Sequence, residues 1–331
     1  MDSDEVSGYA IIKETEKSLE KLNQLWEWYR TAPDFVDKLL NIKNLCWWNK
    51  NYPVYFAVCE RVARELPYHS MTMQFRKDTI TGYLHLDELR TAEDVLRLFV
   101  ADYADDERMA ESLNEIARLY NEKGYYQEGE VLYQYVLGRT SQDESPVMTL
   151  AGLIVSQIGR DEAFADIEAQ MDELIVRYAD DPNGLAEAIL MVGEAYYQEG
   201  QRAMRNWDAE QTADSYRKAI EILRRNIDAA EGRYFSEACY LAGFLWHHLE
   251  EYEEALAYFH TVLEETPDFD QAWFVHHLVA SCWDKLCRKG TLTFEEAKPF
   301  VLEACARLEA INPNSPAKTA AEQLVEKYSK N

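Results

Sequence analysis

The chain has 331 residues, long for one compact core, and 47% of them are hydrophobic, which excludes a disordered chain. Only 13 glycines and 9 prolines are present, too few for the turns of a strand-rich fold, so helices are expected. Lys and Arg total 34 against 60 Asp and Glu, a net charge of −26, which sets nucleic acid and anionic membrane aside as main partners and suits a basic protein or peptide.

The chain opens with MDSDEVSGYAIIKETEKSLEK, polar and acidic, without the basic start and apolar run of a signal peptide. No apolar run approaches the roughly 18 residues of a transmembrane helix, so a cytoplasmic chain without membrane insertion is expected. One apolar stripe through IIKETEKSLEKLNQLWEWY predicts an added helix within residues 1–35. Helical pairs are then expected over 36–67, 70–105, 107–141, 146–181, 184–230, 235–267 and 269–313. In NLCWWNKNYP, Trp47 and Trp48 end a helix, one packed inward and the other open to contact. An expansion near QEGQRAMRNWDAEQTADS lengthens both helices of its pair, with Trp207 capping the protrusion. The last segment, 314–331, reads as a polar capping helix with Ser315 as N-cap and Pro316 at its first position. The six cysteines, Cys46, Cys59, Cys239, Cys282, Cys287 and Cys305, form no CxxC pair and read as free thiols in helix cores.

A recurrent spacing ties the pairs together. Gly243 is followed by Trp246, Ala255, Phe259 and Pro267; Ala117, Tyr120, Gly129 and Tyr133 repeat the first four positions. Gly193, Tyr196, Tyr216 and Ala219 fit with extra residues between the helices, and Tyr52 precedes Pro67 as Tyr252 precedes Pro267. A small residue and an aromatic one turn apart mark a first helix, and a small residue and an aromatic four apart mark the helix packed on it. This spacing resembles the tetratricopeptide repeat family, most fully over 236–267 and 110–140 and most faintly over 70–105, 146–181 and 270–313. The resemblance implies an all-α, right-handed α-solenoid of about seven helix-turn-helix pairs plus terminal helices, whose first helices line a concave face that binds peptides or protein segments.

Carrying the family's exposed first-helix positions onto this chain gives Glu187, Leu190, Glu194 and Tyr197, then Glu237, Tyr240, Phe244, His247 and His248, then Phe274 and Leu278. That surface is aromatic and acidic: aromatics anchor interfaces, and acids steer a basic segment towards them. Some family members clamp acidic peptide tails with Lys, Arg and Asn. Here Asn114, Arg118 and Asn121 stand among Glu111, Glu115 and Glu122, which speaks against such a clamp.

Five histidines cluster, His247, His248, His260, His276 and His277, in a stretch with no Lys or Arg from Tyr234 to Asp284. Its acids are expected to raise their pKa values, so that the segment gains positive charge in mild acid. His247, His248, His276 and His277 are also an alternative metal set, although adjacent histidines point about 100° apart on a helix. No catalytic signature is present: no GxSxG, no HExxH and no glycine-rich phosphate loop. The reading is a non-catalytic scaffold without cofactors that binds a protein or peptide segment, a basic one suiting its charge, with oligomeric state left open. The alternatives are a metal-dependent enzyme or sensor built on the histidines, or a regulatory or assembly domain of a larger protein.

Overall fold

A computed structural model describes residues 15–139, 146–227 and 233–330. The expected N-terminal helix is described from Thr15 onwards, and its residues 1–14 lie outside the described residues, as do residues 140–145 and 228–232, where two predicted pairs end. The described residues form sixteen helices and no strand. The chain divides into two compact units, Met1–Tyr125 and Tyr126–Asn331.

The first unit holds α1 (Thr15–Tyr29), α2 (Phe35–Trp48), α3 (Tyr52–Glu65), α4 (Thr72–His85), α5 (Leu89–Asp102) and α6 (Met109–Glu122). The second holds α7 (Tyr126–Leu137), α8 (Val147–Ile158), α9 (Phe164–Arg177), α10 (Pro182–Arg205), α11 (Ala209–Ile227), α12 (Arg233–His248), α13 (Tyr252–Glu265), α14 (Ala272–Lys289), α15 (Phe294–Ile311) and α16 (Lys318–Ser329). Within each unit most helices pack on their successors, α1 packs on α3, and first helices of successive pairs adjoin: α4 and α6 in the first unit, α8, α10, α12 and α14 in the second.

Periodicity explains the packing. Helix α13 buries Tyr252, Ala255, Leu256, Phe259 and Val262, an apolar stripe three or four residues apart, while its glutamates lie on the opposite face. A Cβ on Gly243 would come 2.8 Å from the Phe259 ring, so α12 and α13 approach as closely as they do only because that position is bare. A Cβ on Gly193 would likewise come 2.6 Å from the Leu223 side chain, between α10 and α11. In each, a small residue on one helix meets a large one on the next.

A second repeated signature lies in the backbone. Seven of the turns between helices carry one left-handed residue each: Lys50, Asp87, Gly124, Asp161, Trp207, Glu250 and Gly290. At each apex the N–H bonds the carbonyl three residues back, and the following N–H reaches five residues back, as in Tyr125 to Tyr120, Glu251 to Trp246 and Thr291 to Leu286. This double closure satisfies the last carbonyls of the first helix and reverses the chain. The first four apices are evenly spaced, 37 residues apart.

In the first unit the core gathers Leu22, Leu25, Trp26, Phe35, Leu39, Ile42, Val58 and Phe75. It also holds a charge pair: the buried Lys43 ammonium on α2 bonds the Asp78 carboxylate on α4 and lies 5.5 Å from the Phe75 ring. Trp47 packs inward, 5.1 Å from the Tyr55 ring and 5.5 Å from that of His85, while Trp48 is 80% exposed, as the sequence suggested.

In the second unit, helices α10 and α11 are the longest successive pair, and Trp207 stands 94% exposed at their turn. One expectation at the C-terminus fails. Ser315 does not cap α16; residues 313–317 form turns closed by Ser315 N–H to Asn312 and Lys318 N–H to Ser315, and the helix starts at Lys318. The Ser315 side chain is buried in that turn, so it cannot reach the first amides of the helix. Helix α16 is held instead by Tyr328, fully buried, stacked 4.5 Å from Phe294 and donating to the Asp284 carboxylate at 3.0 Å. The six cysteines are free, and burial pushes the Cys46, Cys239 and Cys282 thiols up to about 12.

Candidate binding recess

In the second unit a recess of about 1050 Å³ opens between the first helices α10 and α12 and the turn that follows α13. Helix α10 contributes Leu190, Glu194, Tyr197 and Gln198, one apolar-aromatic ridge with a carboxylate. These residues recur every three or four positions, so one helix face presents them together. Helix α12 contributes Ser236, Glu237, Tyr240, Leu241 and Phe244 by the same spacing. The turn adds Glu265, Thr266, Asp268, Phe269, Asp270 and Gln271.

The turn is fixed from both sides. Ser236 and Thr266 share a hydroxyl–hydroxyl bond across α12 and the end of α13. Phe269 N–H bonds the Thr266 carbonyl at 3.0 Å, and Ala272 N–H bonds the Phe269 carbonyl at 2.8 Å. Phe269 is thereby carried to the Tyr240 ring, 5.6 Å centroid to centroid.

Among the described residues, five carboxylates and no lysine or arginine line this recess. Glu194 keeps solvent contact, yet protein surrounds it on the recess wall; that desolvation, and then the neighbouring Glu237 charge, hold its pKa above the ordinary carboxylate value. Burial also pushes the Tyr240 phenol up to about 12.

Six of the eleven candidate residues from the sequence converge here: Leu190, Glu194, Tyr197, Glu237, Tyr240 and Phe244. The others lie elsewhere. Glu187 is exposed and accepts a bond from the Tyr234 hydroxyl at 2.9 Å. His247 is half-buried, 3.0 Å from the Ser281 hydroxyl and 5.5 Å from the Tyr252 ring. His248 meets Phe244 edge-on at 4.5 Å and lines a separate cleft with Trp207, Met204 and Tyr216. Phe274 packs on Trp273 and His277. Leu278 is a core residue rather than a surface contact: with Val275, Val279 and Cys282 it forms the buried stripe of α14.

The histidines correct a second expectation. Burial pulls His247 down to about 4, helped by His248, Lys285 and His277, and burial also lowers His248, His276 and His277. Desolvation outweighs the acids of the segment, and cations outside it reach in: Lys285 towards His247 and Arg307 towards His276. Among the described residues no group of three or more His, Cys, Asp or Glu is placed to hold a metal ion, so the alternative set of His247, His248, His276 and His277 is not assembled. Among those residues no helix is long and apolar enough to cross a membrane.

Sequence reasoning missed the turn residues and, on the two helices, Gln198, Ser236 and Leu241. Phe269 was the available signal: an aromatic between Asp268 and Asp270, where a solvated turn has little use for one.

No family model and no curated protein matches the chain. Among solved structures, a tetratricopeptide repeat protein from Parabacteroides merdae is 13% identical over 83% of this chain and 96% of that one, with a TM-score of 0.43. The apo form of RapI is 11% identical over 98% of this chain and 96% of that one, at 0.42. The TPR2AB domain of yeast Sti1, in complex with pHSP90, is 16% identical over 90% of this chain and all of that one (100%), at 0.31. Likeness at this level indicates neither partner nor activity.

Proposed function

We propose that this protein is a binding scaffold whose second unit takes a basic, extended protein segment into the recess between α10, α12 and the turn after α13. The observation that carries this reading is the lining of the recess, with half-buried rings beside five carboxylates and, among the described residues, no cationic side chain. Rings supply contact area at low entropic cost, and a cluster of carboxylates favours a cationic occupant over a neutral or anionic one. The net charge of −26 adds long-range attraction for the same partner.

The test is calorimetric titration of the full chain with basic, neutral and acidic peptides of equal length, over a range of salt. Basic peptides should bind, and salt should weaken the complex by screening. The double variant Tyr240→Ala, Phe244→Ala should lose about tenfold or more in affinity while keeping its helical content. Equal binding of acidic and basic peptides would overturn the reading.

A further inference from the structure

The rings of the recess stand in a row. Tyr197 and Phe244 lie 6.1 Å apart at 82°, Phe244 and Tyr240 6.3 Å apart at 35°, and Tyr240 and Phe269 5.6 Å apart at 49°. Neighbours are edge-on or tilted rather than stacked, and each of the four residues stays partly exposed. Glu194 and Glu237 lie beside this row on the same two helices, close enough for the Glu237 charge to act on Glu194.

Three cations could answer such a surface, and they differ in what they offer. A lysine ammonium is a compact, strongly hydrated charge whose desolvation is costly. A trimethylated lysine suits a cage of rings closed around one point, and it donates no hydrogen bond to a carboxylate. A guanidinium is flat and weakly hydrated; it stacks on a ring face and still donates paired N–H groups to a carboxylate. A row of partly exposed, unstacked rings flanked by carboxylates matches only the last on both counts.

We infer that the recess selects arginine over lysine, seating a guanidinium on the Tyr240 row with its N–H groups donated to Glu194 and Glu237. The inference rests on the proposed basic-segment reading and adds which cation is read.

Gly-Ser peptides carrying arginine, lysine, trimethyl-lysine or citrulline at the same positions, titrated into the full chain, test it. The arginine peptide should bind about tenfold tighter than the lysine peptide, and citrulline, flat but uncharged, should lose most of the affinity. Tyr240→Leu, which keeps apolar bulk without a ring, and Glu194→Gln should each bring arginine and lysine towards parity. Tyr68→Ala, at a fully solvated site on the first unit, should change nothing. Should Tyr240→Leu fail to fold by circular dichroism, Glu194→Gln on the recess wall decides alone. Arginine and lysine peptides that bind equally, or a trimethyl-lysine peptide that binds best, overturn the guanidinium inference and leave the basic-segment reading standing. Binding by none of the cationic peptides overturns both.

Discussion

Lys43 and Asp78 form an ion pair inside the first unit, on helices α2 and α4, with both side chains largely withdrawn from water. The pair is further tied in place: Gln74 donates to the Asp78 carboxylate at 2.8 Å, and the Tyr55 hydroxyl donates to the Asp78 carbonyl at 2.7 Å. Removing one member leaves the other charged and buried, whereas replacing the cation by an apolar chain of similar length removes its own desolvation cost. Lys43→Ala should therefore lower stability by about 3 kcal/mol or more, and the double variant Lys43→Met, Asp78→Leu should recover much of that loss. Urea unfolding of the three proteins checks it; a double variant no better than Lys43→Ala would show that the pair is net stabilising.

The bare position under Phe259 makes a sharper prediction. Gly243→Ala should destabilise the second unit by roughly 1–3 kcal/mol, although alanine is the better helix former, because the new methyl meets a fully buried ring. A shortened partner should rescue it, so Gly243→Ala with Phe259→Leu should cost less than the two single changes summed. Thermal unfolding of the single and double variants reads this directly; additive costs would place the strain elsewhere.

Five of the seven turn apices are not glycine. Asp161, at φ 61 and exposed, holds a conformation that costs an L-residue about 1 kcal/mol, and glycine gives part of that back through its greater freedom when unfolded. Asp161→Gly should raise stability by about 0.5 kcal/mol, while Gly124→Ala, at φ 81, should lower it by about 1 kcal/mol. Opposite signs in the two urea midpoints are expected; equal signs would refute the backbone account of these turns.

Acid should loosen the second unit through its histidines. His247 has its pKa pulled down to about 4, and an unfolded histidine takes its proton near ~6.5. Between those values the unfolded state binds more protons, so the contribution is whole above about pH 6.5 and is lost as pH falls towards 4. Glu194, with a raised pKa, acts in the opposite sense: its contribution is present in acid and is lost as pH rises through its folded value. Denaturation midpoints across this range should fall with pH, and His247→Gln should flatten the slope. An unchanged slope in that variant would sink the assignment to His247.

The helical pairs were readable because bare and aromatic positions such as Gly243 and Phe259 keep the spacing that close packing demands. The turn apices were not, since their left-handed backbone is borne by lysine, aspartate, tryptophan and glutamate as well as glycine. Half of the recess was equally hidden. Reading along first helices found Glu194, Tyr197, Tyr240 and Phe244, but Asp268, Phe269 and Asp270 arrive from the next turn, which helical periodicity does not address. The histidine error had a related cause: charges were counted along the chain, while burial, Lys285 and Arg307 act through space.

The paired closing bonds at each apex belong to the main chain, so nothing in them depends on which side chain stands there. They act as a ruler. Spacing between marks is even from Lys50 to Asp161, widens most across α10 and α11, and stays wider from Glu250 to Gly290, where α14 is longer than the first helices of the first unit. For a chain whose packing residues have drifted past recognition, counting such marks in its backbone gives the number of repeats, and the distance between marks tells which repeat has been stretched.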